Sequence, residues 1–210
     1  MPSFYPLIAT LGAYLIGSLS FAVLVSRLMG LSDPRTYGSN NPGATNVLRS
    51  GNKKAAILTL LLDALKGWLP VVAVKWWGAS MGLGDGTVAL VGLAAFLGHL
   101  YPVFFGFKGG KGVATAAGVI LAFDPWLGLA SLATWLIIAG FFRYSSLASM
   151  VTAVFAPFFF LLGNGTAWDA PASQVVSLIL MGLLLIWRHA ENINRLVAGK
   201  ESKLGSKKKS

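Results

Sequence analysis

Long apolar runs separated by short polar segments dominate the chain. A membrane-spanning helix needs about 20 mostly apolar residues, and seven segments approach that description. They run from Phe4 to Leu28, Ala55 to Trp77, Thr87 to Phe107, Val113 to Phe123, Trp126 to Phe142, Ser146 to Leu162 and Val175 to Trp187. The fourth segment is short, but the Asp124-Pro125 pair after it is typical of a tight turn. The pattern predicts an all-α, polytopic membrane protein with seven transmembrane helices.

The cations fall almost entirely in alternate connections between these segments. The connections 30–54, 108–112 and 143–145 and the C-terminal tail hold most of them, whereas the opposite connections hold Asp85, Asp124 and Asp169. Loops rich in Lys and Arg stay in the cytoplasm. We therefore expect the N-terminus outside and the C-terminus in the cytoplasm. Five spans, with some segments re-entrant, is the alternative count.

The composition supports this interpretation. The chain of 210 residues is 55% hydrophobic and 11% charged, whereas soluble domains are roughly 25% charged. We expect one transmembrane domain over residues 1–200 and a disordered basic tail over 201–210. The net charge of +10 then indicates contact with anionic lipid headgroups rather than with nucleic acid. Without cysteine there is no thiolate nucleophile or Cys-ligated metal site, and two separated histidines give no metal-binding pattern.

The first polar loop, GSNNPGATNVLR (38–49), is dense in hydrogen-bond donors. Glycines allow backbone N–H groups to converge on an anion, and an arginine fork suits phosphate. A flexible linker is the alternative, although a linker does not need so many donors. We predict phosphate binding by Ser39, Asn41, Thr45, Asn46 and Arg49.

The second polar loop, FKGGKGVAT (107–115), leads directly into an apolar segment. Lysines and free N–H groups at a helix N-terminus favour anions. The loop is not a Walker A motif, because Phe105 and Gly112 stand where that motif needs Gly and Ser or Thr. Basic residues beside a turn would explain the lysines but not the glycines around them. We predict phosphate contacts from Lys108, Gly109, Gly110 and Lys111.

Two shorter motifs belong to the same predicted face. Ser145 and Ser146 follow an arginine and either cap the next helix or donate to a ligand, and capping is the preferred interpretation. In RHAENINRL (188–196), His189, Asn192 and Arg195 share one helical face. An interfacial amphipathic helix is the alternative interpretation of this segment.

Asp63, Lys66 and His99 are ionisable residues that lie well inside predicted spans. Asp63 and Lys66 are spaced to form an ion pair within one helix or to order the neighbouring loops. His99 is placed to hydrogen-bond between helices. Neither His99 nor His189 has an obvious Asp partner, and the chain lacks a G-x-S-x-G elbow. The sequence therefore does not indicate a catalytic triad.

Six motifs of the chain, taken in order, resemble those of the bacterial acyl-phosphate:glycerol-3-phosphate acyltransferase family. They are GSNNPGATNVLR, DALKG (63–67), GHLYPVFFGFKGGKGVAT (98–115), YSS (144–146), RHAENINRL and the Gly-x-Glu-x-Lys pattern of Gly199, Glu201 and Lys203. The resemblance covers essentially the whole chain. One position departs from it, because the first motif of the family often reads Gly-Ser-Gly-Asn and this chain has Asn40 at the second glycine.

The resemblance implies an enzyme of the bacterial inner membrane with its active site facing the cytoplasm. The expected substrates are a fatty acyl phosphate and sn-glycerol 3-phosphate, and a peripheral acyl-phosphate synthase is an expected partner. No cofactor is expected. The resemblance also implies phosphate binding by Ser39, Asn41, Thr45, Arg49, Lys108 and Lys111. It adds Ser146 and Asn192 as polar contacts to glycerol phosphate and leaves His189 as a weak candidate for a general base. The other large class of glycerol-phosphate acyltransferases carries a His-x-x-x-x-Asp motif, which neither histidine forms here.

Two other functions fit parts of the pattern. A small transporter for organic phosphates would also carry intramembrane charges and glycine breaks, but such proteins bind near the membrane midplane, whereas these motifs cluster at one face. A non-catalytic scaffold for anionic lipid would not need two glycine-rich loops.

Overall fold

The computed structural model describes residues 4–205, and these residues form ten α-helices and no β-sheet. The helices are α1 Tyr5–Gly17, α2 Phe21–Leu28, α3 Ala44–Leu48, α4 Lys53–Trp77, α5 Asp85–Leu100, α6 Val113–Phe123, α7 Pro125–Phe142, α8 Ser145–Leu162, α9 Ala172–Arg188 and α10 Ala190–Val197. The predicted all-α fold is confirmed. Leucines and aromatics line the outer surface of the bundle, as expected where lipid rather than water surrounds it.

Glycines allow the central helices to approach closely. Helix α4 packs against α6 through Gly67 and Gly118, where a Cβ atom would overlap the backbone of the other helix. Helix α1 packs against α5 in the same way through Gly17 and Gly98. Small residues at helix interfaces are the usual device for packing where lipid removes the hydrophobic drive between helices.

The first predicted span is broken. Helices α1 and α2 meet at 43° across Ser18, Leu19 and Ser20, so the continuous segment expected from Phe4 to Leu28 needs correcting. The Oγ of Ser18 bonds back to the carbonyl of Tyr14 at 2.8 Å, and bonds of this kind compete with the helical ladder. A second bend, of 56°, separates α9 from α10 at His189.

The predicted count of seven spans is not confirmed by the lengths of the helices and stays a prediction. Among residues 4–205, four helices are individually long and apolar enough to cross a membrane, and there are six spans if each bent pair counts as one. Helix α6 is a shorter apolar helix of 11 residues. The predicted tight turn at Asp124-Pro125 is confirmed, since the Asp124 carboxylate caps α7 by accepting from the N–H groups of Trp126 and Leu127 at 2.8 and 2.9 Å. The orientation of the termini stays a prediction.

The polar loops meet at one end of the bundle, which we call the site end. It carries residues 29–52, 101–112 and 143–144 and the segment 198–205. The sequence predicts a disordered tail from residue 201 onward. That disorder stays a prediction. In the structure Leu204 exchanges hydrogen bonds with Arg143, and Glu201 is bonded as described below. Residues 206–210 of that predicted tail lie outside the described residues.

Candidate active site

The first loop is organised by the side chain of Asn46, which is 2% exposed. Its amide group donates to the carbonyls of Pro34 and Tyr37 at 2.6 and 3.1 Å, and its oxygen accepts from the N–H of Ser39 at 3.0 Å. The same oxygen lies 3.4 Å from the guanidinium of Arg49. Asn46 was predicted to bind phosphate, but its polar atoms are engaged within the loop. Its role here is to shape the loop that presents Ser39 and Arg49.

Asn40 adopts a left-handed backbone conformation, with φ of 53°. Glycine takes this conformation at no steric cost, and asparagine is one of the few other residues that tolerate it. This explains how the chain departs from the Gly-Ser-Gly-Asn pattern without changing the turn. Asn40 also lines the cleft described below, together with the predicted phosphate ligands Lys108 and Gly109.

The second loop packs against the first. The N–H of Gly110 donates to the carbonyl of His99 at 3.1 Å, so this N–H is not free to bind an anion. A Cβ atom on Gly110 would overlap the ring of His99 and lie 2.9 Å from the carbonyl oxygen of Pro42. Only glycine therefore allows the two loops to meet at this point. The structure brings the two predicted phosphate loops together.

A cleft of about 310 Å³ lies where the loops meet. Its lining residues come from the first loop and the segment just before it, from the second loop and from the end of α9, and they are Arg35, Asn40, Pro42, Phe107, Lys108, Gly109 and Arg188. The three cations among them differ in their partners. Arg35 is paired with Asp33 at 2.6 Å, and its hydrogen bonds hold the pKa of that carboxyl below its usual value.

Lys108 and Arg188 have no carboxylate partner among residues 4–205 within 4.0 Å. Arg188 donates to the carbonyls of Gly109 and Gly110 at 3.1 and 3.3 Å. These bonds fix the guanidinium on the floor of the cleft and leave its charge uncompensated. An open, water-accessible cleft with two unpaired cations attracts a phosphate-bearing ligand.

A second polar group of residues surrounds Glu201, and we call it the Glu201 cluster. One carboxylate oxygen accepts from Ser146 at 2.7 Å and from Asn192 at 2.6 Å, and the other accepts from Arg195 at 2.7 Å. Ser146 therefore donates to the cluster instead of capping α8, whose N-terminus has no side-chain cap. Burial raises the pKa of Glu201, but the bonds from Arg195, Asn192 and Ser146 outweigh it, so the pKa lies below its ordinary value.

Lys111 joins the Glu201 cluster to the second loop. Its ammonium group donates to the side-chain oxygen of Asn192. Burial, and then the nearby charge of Arg195, lower the pKa of Lys111 to about 8, and the charge of Glu201 offsets this only in part. Lys111 lies three residues from Lys108, and Asn192 lies four residues beyond Arg188, across the bend between α9 and α10. The cleft and the Glu201 cluster are thus neighbouring parts of one cationic site.

His189 lies between α9 and α10 and is 3% exposed. Its Nδ1 atom is 2.8 Å from the carbonyl oxygen of Leu185, which favours a proton on Nδ1. Burial lowers the pKa of His189 to about 4. A general base is most effective when its pKa is near the working pH, so His189 is poorly suited to that role.

The structure places most of the predicted ligands at the site end, with some differences in role. Arg49 is exposed and reaches the Oγ of Ser202 at 2.9 Å, Thr45 is exposed, and Ser39 and Asn41 are half-buried. Sequence reasoning did not select Arg35, Arg188, Arg195 or Glu201 as site residues. Arg188 opens the RHAENINRL motif and Glu201 follows it, but contacts such as that between Ser146 and Glu201 join residues 55 positions apart.

Comparison with known proteins agrees with this geometry. The glycerol-3-phosphate acyltransferase family model matches residues 7–199. A protein of that name from Albidiferax ferrireducens is 66% identical over 207 residues, with 99% of this chain and 92% of the relative covered. A relative of the same name from Ralstonia pickettii is 65% identical over 208 residues, with 97% of this chain and 98% of the relative covered.

Two crystal structures are similar over 96% of both chains. One is PlsY, an integral membrane glycerol 3-phosphate acyltransferase, in its glycerol 3-phosphate form, with a TM-score of 0.87 and 44% identity. The other is PlsY in its lysophosphatidic acid form, with a TM-score of 0.85 and 43% identity. With a family model that spans nearly the whole chain and relatives that share two thirds of its residues, the chain belongs to the glycerol-3-phosphate acyltransferase family.

Proposed function

We propose that the protein transfers the acyl group of a fatty acyl phosphate to the 1-hydroxyl of sn-glycerol 3-phosphate, giving lysophosphatidic acid and inorganic phosphate. The observation that carries this proposal is the cleft between the two glycine-rich loops, where Lys108 and Arg188 are cations without a carboxylate partner among the described residues. The family gives the acceptor, since its relatives are named glycerol-3-phosphate acyltransferases. The acyl-phosphate donor rests on the resemblance of the sequence motifs.

The site supports positioning and charge stabilisation rather than covalent catalysis. The hydroxyl oxygen attacks the acyl carbonyl carbon, the bond from that carbon to the phosphate oxygen breaks, and phosphate leaves. Lys108, Arg188 and Arg49 stabilise the charge on the substrate phosphates. We propose that an oxygen of a substrate phosphate accepts the hydroxyl proton, because His189 has a pKa of about 4 and is a weak base.

The remaining expectations follow the same proposal. Lipid-facing helices beside the site end provide an apolar surface for the acyl chain. We propose a bacterial inner membrane location, with the site end in the cytoplasm, and delivery of the donor by a peripheral acyl-phosphate synthase. No cofactor takes part in the proposed reaction.

The decisive experiment incubates the purified protein with palmitoyl phosphate and radiolabelled glycerol 3-phosphate. We expect labelled lysophosphatidic acid and an equal amount of inorganic phosphate. Palmitoyl-coenzyme A replaces the acyl phosphate in a parallel reaction and should give no product. Product from the thioester alone would refute the donor assignment, and glycerol 3-phosphate flux into sealed vesicles without product would favour the transporter.

Arg49→Ala provides a test within the site. Its guanidinium is exposed at the site end and has no carboxylate partner in residues 4–205, so we expect turnover to fall at least tenfold with normal membrane expression. Lys53→Ala removes an exposed cation at the start of α4 and is the matched control. Equal turnover of the two variants would remove Arg49 from the phosphate site.

A further inference from the structure

Three ionisable side chains lie inside the bundle, away from the cleft lining and the Glu201 cluster. Asp63 and Lys66 on α4 are each 2% exposed, and His99 on α5 is 7% exposed. The Nζ atom of Lys66 lies 2.8 Å from Oδ1 of Asp63, and Nδ1 of His99 lies 3.6 Å from the same oxygen. The predicted ion pair within α4 is thus confirmed. Ionisable groups at this depth are costly and usually have a function.

The ion pair stabilises the segment between α1 and α2, where the first predicted span is broken. Lys66 donates to the carbonyl of Leu19 at 2.6 Å, and Leu19 lies between α1 and α2, where the helical ladder is interrupted. Lys66 also lies over the ring of Phe21, with 5.7 Å between its Nζ atom and the ring centroid. The ion pair therefore holds the segment between α1 and α2 in place. Through His99 it also reaches the second loop.

His99 connects the ion pair to the phosphate loop. Its carbonyl accepts from the N–H of Gly110, and its ring packs so closely on Gly110 that a Cβ atom there would overlap Nε2. The carbonyls of Gly109 and Gly110 in turn accept from Arg188 on the cleft floor. Contacts thus run without interruption from Asp63 to a cation of the cleft.

We infer that Asp63, Lys66 and His99 form a positioning cluster that holds the Gly109–Gly110 loop in the geometry needed to bind glycerol 3-phosphate. The Asp63 carboxylate attracts the ring of His99 across 3.6 Å, short of a hydrogen bond. The ring packs against Gly110 and limits its position, and the carbonyls of Gly109 and Gly110 hold Arg188. This inference rests on the proposed function for the identity of the ligand. None of the three side chains lines the cleft.

Stability alone does not account for the cluster. Replacing a buried ion pair by apolar residues of similar volume is often neutral or stabilising, whereas removing one partner is strongly destabilising. A double substitution therefore separates the two roles. Asp63→Leu/Lys66→Met removes both charges and leaves neither ion uncompensated, while His99→Phe keeps a ring under Gly110 and removes the nitrogen that faces Asp63.

The experiment measures the KM for glycerol 3-phosphate and kcat at saturating palmitoyl phosphate, together with thermal unfolding. We expect both variants to fold and to raise KM about tenfold with kcat within about threefold, because small displacements of binding groups have effects of this size or larger. Lys75→Met is the matched control, since Lys75 is another lysine within α4 but donates to the carbonyls of Ala122 and Phe123 at the other end of the bundle. Its KM should equal that of the wild type.

Folded variants with a wild-type KM would overturn the inference, including the case in which only the unfolding temperature changes. If the double variant does not fold, His99→Phe decides alone. Lys108→Met distinguishes failure of this inference from failure of the proposed site. A raised KM in Lys108→Met with an unchanged KM in His99→Phe refutes the positioning cluster only, whereas an unchanged KM in both refutes the cleft as the glycerol 3-phosphate site.

Discussion

Lys111 should make catalysis sensitive to alkaline pH. Its pKa of about 8 results from burial and from the charge of Arg195, so the ammonium form is about 90% populated at pH 7 and about 10% at pH 9. The neutral amine cannot attract phosphate. If the charged form is needed, kcat/KM for glycerol 3-phosphate falls tenfold for each pH unit well above 8, and Lys111→Arg removes this fall because arginine stays protonated.

The assay follows labelled glycerol 3-phosphate into lysophosphatidic acid at low acceptor concentration from pH 6.5 to 9.5. The second pKa of a phosphate monoester is about 6, so the acceptor remains a dianion above pH 7.5 and does not produce the alkaline limb. Lys108→Arg is the control and should keep that limb, because Lys111 is unchanged. A limb at the same pH in wild type and Lys111→Arg would show that another group titrates, and would refute the reasoning.

Three further predictions concern the neighbouring residues. Glu201→Gln should lower the free energy of unfolding by roughly 1–3 kcal/mol in a denaturant titration, because a charged acceptor of three bonds is lost. Since the pKa of Glu201 is lowered in the folded protein, the wild type loses the same contribution as the pH falls through that pKa. Equal stability of wild type and variant at neutral pH would contradict this account. Asn40→Gly should be neutral in stability and activity, whereas Asn40→Val should cost about 1–2 kcal/mol; equal stability of the two would show that φ at this position is relaxed. His189→Ala should lower kcat by less than about 100-fold, below the usual contribution of a general base; a loss of four decades with intact binding would restore His189 to that role.

The pattern of apolar runs and cations predicted the helical fold and the loops that meet at the site end. It did so because the length of an apolar run and the glycine-rich loops that end it are local properties of the sequence. The break at Ser18–Ser20 was missed because every residue from Phe21 to Val25 is apolar or small, which continues the run. The contact that holds this segment is tertiary, since Lys66 donates to the carbonyl of Leu19 from another helix, and such a contact leaves no mark in the local pattern.

The site was predicted in its loops and less well in its contacts. Lys108, predicted as a phosphate ligand, lines the cleft, and Asn192, a substrate contact implied by the resemblance, bonds to Glu201. Their roles in binding substrate stay predictions. Asn46 instead organises its own loop, which depends on carbonyls 9 and 12 residues away. Glu201 was not assigned, because its role comes from Ser146 and Arg195 approaching it from two different helices.

The length of α6 sets the distance between the polar groups at its two ends. Eleven residues rise about 16 Å, roughly half the 30 Å thickness of a hydrocarbon core. The second loop precedes α6 and the Asp124 turn follows it, so a polar surface approaches from each side with only this distance between them. In the proposed reaction, this short distance lets glycerol 3-phosphate at the site end approach an acyl donor whose chain lies along the lipid-facing helices. Gly118 holds α6 directly against the backbone of α4, so the second loop is supported by a closely packed pair of helices.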